Sequence, residues 1–136
     1  MRKLLSTAYS DGAFNFALLV QRVATGLLLL IGHGLSKISN YSQLVGSFYD
    51  PLHIGHRLSL ILAILSELFC SMFLILGLFT RFAAIIIAIE LSVAVFIYHN
   101  GQPLKSFELG ALFLTSVFTI MIIGPGRVSV DGMMNK

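Results

Sequence analysis

Three ionisable side chains lie deep inside long apolar runs of this 136-residue chain, namely Arg22, Glu67 and Glu90. A charge at the centre of a membrane helix costs about 2.5 to 3.5 kcal/mol on insertion scales, so each of these residues needs a partner or a use. An arginine guanidinium pairs with a carboxylate through two parallel hydrogen bonds and stays protonated when it is desolvated. The pattern therefore predicts a site in which Arg22 faces one or both glutamates.

One arginine that faces two carboxyl groups leaves one acid in excess. Because two like charges in a low dielectric do not easily ionise together, either Glu67 or Glu90 is expected to hold its proton at neutral pH. Cys70 follows Glu67 by three residues, the spacing of neighbours on one helix. Three interpretations stay open: the cluster only fixes helix packing, it binds the polar head of a quinone-like ligand or relays a proton, or the glutamates do not meet Arg22.

The elements that must position these residues are membrane-spanning helices. The chain is 57% hydrophobic and 11% charged, whereas an ordinary soluble domain has roughly 25% charged residues, and its mean hydropathy is +0.91. A span needs roughly 20 mostly apolar residues. We therefore predict an all-α membrane protein with one domain over residues 1–136, an antiparallel bundle of four transmembrane helices. The predicted spans are about residues 14–35, 58–78, 81–98 and 107–123.

The helical rise of about 1.5 Å per residue gives the depth of each polar residue, counted from the end of its span on the face that holds both termini. Counted in this way, Arg22 and Cys70 lie roughly 12 Å deep, Glu90 roughly 13 Å and Glu67 roughly 16 Å, so that all four can share one layer. The first span is expected to end near Gly32-His33-Gly34, because glycine favours helix ends.

The connection after the first span has an apolar helical face. Its members recur at i, i+3, i+4, i+7 and i+8, which predicts a short helix lying in the membrane interface. They are Tyr41, Leu44, Val45, Phe48 and Tyr49.

The basic residues of the loops predict the orientation. The face that holds both termini collects five of them, Arg2, Lys3, Arg81, Arg127 and Lys136, against Lys37, Arg57 and Lys105 on the other face. Because lysine and arginine favour the cytoplasmic side, both termini are expected there. We then expect basic residues at the outer ends of the spans to form an anion-binding entrance, the outer mouth. The alternative is that these residues are only polar groups at headgroup level. The candidates are His33, Lys37, His99, Lys105 and Glu108, with Glu108 free to pair with either lysine.

Neither a metal nor a haem is the expected cofactor. His53 and His56 have the spacing of half a metal site, but no cysteine or acidic residue lies close enough in sequence to complete it. A haem held by His33 and His99 is an alternative, since both histidines are expected near the same membrane face. The net charge of +3 is spread over both faces and gives no nucleic-acid footprint.

Several motifs resemble those of the DoxX family of bacterial membrane proteins, over about residues 16–132. The resemblance rests on Arg22 with Gly26, the segment 32–37, Ser66-Glu67, the turn 76–81, Glu108 and the closing segment 124–131. By position it implies that the polar residues typical of the family are Arg22, Lys37, Glu67, Arg81, Glu108, Arg127 and Asp131. Gly77, Arg81, Gly124, Pro125, Gly126, Arg127 and Asp131 are then expected to be structural. Glu90, Cys70, His53 and His56 are not part of that pattern.

The resemblance implies a four-helix protein of the bacterial inner membrane with a role in redox or sulfur metabolism. We expect a quinone-like ligand or a proton site around Arg22 and Glu67 and, if the protein is an enzyme, a subunit of a quinone-linked oxidoreductase. The main alternative is a non-catalytic subunit that docks soluble or membrane redox proteins. A small transporter is a further alternative, disfavoured because no inverted repeat is clear. The expected partners are the lipid bilayer, redox proteins and further copies of the chain.

Overall fold

A computed structural model describes residues 4–135, and this part of the chain forms helices and no strands. Four of the helices within it are long and apolar enough to cross a membrane, so the predicted all-α bundle is confirmed. The chain runs through α1 (Asp11–Ser39), α2 (Tyr41–Leu44), α3 (His56–Leu76), α4 (Thr80–Tyr98), α5 (Leu104–Ile123) and α6 (Val130–Met134). Arg2, Lys3 and Lys136, on which the predicted orientation partly rests, lie outside the described residues.

The first spanning helix is longer than the sequence suggested. The Ser10 hydroxyl accepts a hydrogen bond from the Ala13 N–H at 3.1 Å and caps its start. The predicted end at Gly32-His33-Gly34 is wrong, because the helix continues through a π-helical turn, Leu30–Gly34, as far as Ser39. A Cβ on Gly34 would lie 3.4 Å from the backbone carbon of Glu67. Glycine therefore serves close packing of α1 against α3 at this point and does not end the helix.

The reversal between α3 and α4 depends on Gly77. This residue has a φ of +71°, in the left-handed region that favours glycine. The N–H groups of Gly77 and Leu78 both donate to the Phe73 carbonyl, at 2.8 and 3.0 Å, and satisfy the end of α3. α3 and α4 therefore form a tight antiparallel hairpin.

The core lies between the spanning helices and is apolar. Its most buried members come from all four spans, and they fill the bundle through close van der Waals contact, the main source of helix association in lipid. They include Leu29, Leu74, Ala84, Ile87, Val117 and Ile120.

Within residues 4–135, π-helical turns interrupt three of the spans: Leu30–Gly34 in α1, Ser66–Cys70 in α3 and Val93–Tyr98 in α4. Such turns are rare and are frequent at functional sites. The first two face each other, because Gly34 packs against Glu67. Ionisable residues of three spans meet in this layer of the bundle.

Candidate functional site

The predicted pair between Arg22 and Glu67 is wrong. The Arg22 guanidinium is 2% exposed and donates from Nη1 to the Pro125 carbonyl at 2.6 Å and from Nη2 to the Val128 carbonyl at 2.8 Å. It lies beside Gly77, since a Cβ on that glycine would come within 2.5 Å of Nη1. Glu67 is ten residues earlier on α3, about 15 Å away along the helix axis. The depth estimated for Arg22 assumed that all spans begin at the same level. α1 instead begins 11 residues before Arg22, so Arg22 lies level with the α3–α4 hairpin.

Arg22 is instead part of a clasp, residues 124–131, that closes this end of the bundle. The Asp131 carboxylate accepts hydrogen bonds from the Phe79 N–H at 2.9 Å and from the N–H and hydroxyl of Thr80 at 2.9 and 2.8 Å. The Asp131 N–H donates to the Gly77 carbonyl at 2.8 Å. A residue 51 positions away thus caps the start of α4.

The other motif residues of this end also make structural contacts. Arg81 Nη2 lies 3.4 Å from the carbonyls of both Ile122 and Ile123, in the last turn of α5. The Arg127 N–H donates to Asn15 Oδ1 at 2.7 Å. Gly124 and Gly126 have φ of +98° and +77° and flank Pro125, whose carbonyl binds Arg22. The clasp therefore ties the start of α1, the α3–α4 hairpin and the end of α5 together.

The clasp carboxylate makes stability depend on pH. Burial alone would raise the pKa of Asp131, but the hydrogen bonds from Thr80 and Phe79 and the charge of Arg22 together hold it below its ordinary value. A lowered folded-state pKa adds stability above the unfolded pKa of about 3.9, and this stability disappears as the pH falls through the folded pKa.

We therefore expect Asp131→Asn to lower the melting temperature in mild detergent at neutral pH, with a deficit that shrinks below about pH 4. The measurement is thermal unfolding of both proteins across pH. Asp11→Asn is the matched control, since Asp11 is exposed. A deficit of the same size at every pH would contradict the role given to the charge of Asp131.

Glu67 is paired with Lys37. The Lys37 ammonium donates to both carboxylate oxygens of Glu67 at 2.5 Å, and the two side chains are 19% and 7% exposed. The lysine reaches Glu67 because α1 extends one turn past the predicted end and carries residue 37 into the bundle. Lys37 therefore pairs with Glu67 and not with Glu108, which the sequence offered as a partner of either lysine.

The structure brings Glu90 to the same place. The Ser66 hydroxyl donates to Glu90 Oε2 at 2.6 Å, and Glu90 lies beside Glu67. Ser66 and Glu67 are consecutive in the π-helical turn of α3, so one contacts α4 and the other contacts α1. We call Lys37, Ser66, Glu67 and Glu90 the carboxylate cluster. The role of Ser66 was missed, although a hydroxyl next to a buried glutamate was a usable signal.

Two further predicted residues border the carboxylate cluster. The His33 ring packs edge-on against Phe113 of α5, with ring centroids 5.6 Å apart, and interacts electrostatically with Glu67 and Lys37. Cys70 is buried one helical turn from Glu67, carries a free thiol and also neighbours Glu90. The cluster therefore draws on α1, α3 and α4, with α5 covering it through Phe113.

The remaining outer-mouth residues do not join this cluster. His99 packs against Tyr98 and Phe107, with ring centroids 4.7 and 6.4 Å apart. Lys105 and Glu108 are exposed, and among residues 4–135 neither forms an ion pair. In the same part of the chain no three metal-binding side chains come together. His56 Nδ1 lies 2.5 Å from the Phe48 carbonyl, within the first loop.

Fully buried leucines lie between the carboxylate cluster and the clasp, together with the buried hydroxyl groups of Thr25 and Ser71. Leu74 lies between Glu67 and Gly77 on α3, and Leu29 lies between Arg22 and Lys37 on α1. Both leucines are fully buried. The bundle thus has a structural end at the clasp and, nearer the middle of the spans, a cluster of ionisable side chains.

The sequence model of the DoxX family matches residues 17–100, more than half of the chain. The match includes Arg22, Lys37 and Glu67 and ends before α5 and the clasp. No curated protein and no solved structure is significantly similar to the chain.

Proposed function

Because the chain belongs to the DoxX family of membrane proteins, we propose that it is a redox-associated protein of the bacterial inner membrane that binds a quinone-like ligand at the carboxylate cluster. Both termini then lie on the cytoplasmic side, as the loop charges favour. The observation that carries the proposal is the pair of neighbouring glutamates, with Lys37 and Ser66, inside an apolar four-helix bundle. Ionisable groups at such depth mark functional sites by default.

The depth of the cluster favours a lipid-soluble ligand. Glu67 is 11 residues from His56 and nine from Leu76, which is about 17 and 14 Å from the two ends of α3. A hydrocarbon core of about 30 Å thus has this carboxylate near its middle. A ligand dissolved in the bilayer reaches that depth directly, whereas a water-soluble substrate needs a polar path.

The chemistry of the cluster suits a quinone head. A quinone carbonyl accepts hydrogen bonds, and Lys37 and Ser66 are donors. A quinol hydroxyl donates, and the oxygens of Glu67 and Glu90 accept. A purely structural role needs only the closed pair of Lys37 and Glu67. A second carboxyl, half-buried and without a cation of its own, adds a desolvation cost that packing does not require.

Mass spectrometry of the molecules that copurify in mild detergent tests this proposal. Wild-type protein is expected to retain a quinone, and Glu67→Gln to lose most of it. Glu108→Gln is the matched control, because Glu108 is exposed at the start of α5. Recovery of a stoichiometric partner protein without any quinone would instead support the docking-subunit alternative.

A further inference from the structure

Glu90 differs from Glu67 in its surroundings. Both oxygens of Glu67 face the Lys37 ammonium, whereas the hydrogen bond of Glu90 comes from a neutral hydroxyl, that of Ser66. Among residues 4–135, no cation lies within ion-pair distance of Glu90. Glu67 is buried, but Glu90 is partly exposed at the surface of the bundle.

The groups that face Glu90 can be named for each helix around it. α3 contributes Ser66, Glu67 and Cys70, and α1 contributes Lys37. The charged residues of α5, Lys105 and Glu108, are exposed near its first turn. The surroundings of Glu90 therefore hold one ammonium group, and that group is already bound to a carboxylate.

We infer that Glu90 is a proton-binding site that lipid-soluble molecules reach from the bilayer between α3 and α4. A carboxyl in this position is neutral when it carries its proton, and the protonated form avoids the cost of a second negative charge beside Glu67. The inference gives Glu90, a member of the carboxylate cluster outside the family pattern, a bound proton and a route of access from the bilayer. It rests on the proposed function only for the identity of the ligand.

Dicyclohexylcarbodiimide, an apolar reagent, tests the inference on the full-length protein in liposomes. A protonated carboxyl adds across a C=N bond of the reagent: its oxygen bonds to carbon and its proton moves to nitrogen. The resulting O-acylisourea rearranges to a stable N-acylurea with no atom lost. Peptide mapping then locates the modified residue, and an ionised carboxylate does not start the reaction.

We expect modification of Glu90 at mildly acidic pH, with Glu67 unmodified in the same molecules. Labelling should fall at alkaline pH, about tenfold for each pH unit once the carboxyl ionises. A water-soluble carbodiimide should label exposed Glu108 and leave Glu90 unmodified. Glu90→Gln should remove the label from the apolar reagent, and Glu108→Gln should not.

Labelling of Glu67 in place of Glu90, labelling of neither, or labelling of Glu90 that does not change with pH would each overturn the inference. The result is independent of quinone retention. Labelled Glu90 in a protein that binds no quinone would support the proton site and remove only the proposed ligand.

Discussion

Replacing Gly77 with alanine will lower the free energy of unfolding by about 2 to 5 kcal/mol. The backbone at Gly77 has a φ of +71°, which costs a residue with a Cβ about 1 to 2 kcal/mol. The new Cβ would also lie 2.5 Å from Arg22 Nη1 and 2.5 Å from Ser129 Cβ. Overpacking of this kind adds about 1 to 3 kcal/mol. Denaturant unfolding in mild detergent measures the loss.

Gly101→Ala is the matched control for Gly77→Ala. Gly101 has a φ of +78°, but a Cβ there would meet no atom within 4 Å. The control should therefore lose only the backbone part, about 1 to 2 kcal/mol. Equal losses in the two variants would show that the clasp does not pack tightly against the hairpin.

Lys37→Met will destabilise the protein by about 3 to 5 kcal/mol, because it leaves the carboxylate of Glu67 buried without a cation. The double variant Lys37→Met with Glu67→Gln should recover much of that loss, since neither charge is then buried alone. Thermal or denaturant unfolding of the two single variants and the double variant completes the cycle.

Arg127→Ala serves as the comparison for Lys37→Met. Its ion pair with Asp11 spans 3.5 Å between side chains that are 74% and 77% exposed, so its loss should change stability by about 0 to 1 kcal/mol. Additive effects of the Lys37 and Glu67 substitutions would mean that the buried pair does not form.

The sequence predicted the fold well because apolar runs of membrane length leave few alternatives. The glycines of residues 32–34 predict a helix end, but Gly34 packs α1 against Glu67 and the helix continues. The longer helix also changes the position of Lys37. A helix ended at residue 35 places Lys37 outside the bundle, whereas one more helical turn carries its ammonium to Glu67.

The position of Arg22 could not be derived from its own segment. Depth counting treats the spans as if they began at one level, but α1 starts at Asp11 and the clasp folds back against its first half. The partners of Arg22 are backbone carbonyls from a segment more than 100 residues later. Carbonyl groups carry no sequence signal, so residue types alone pointed to the glutamates.

Equilibrium binding of a short-chain quinone to the protein in lipid nanodiscs tests the central claim most directly. Loss of a hydrogen bond to a charged group removes about 1.5 to 3 kcal/mol, so Glu67→Gln should weaken binding about 10-fold to 100-fold. Glu108→Gln should bind like the wild type. Saturable binding with this difference is the predicted result. No saturable binding to the wild type, or equal affinity in Glu67→Gln, would contradict a quinone site at the carboxylate cluster.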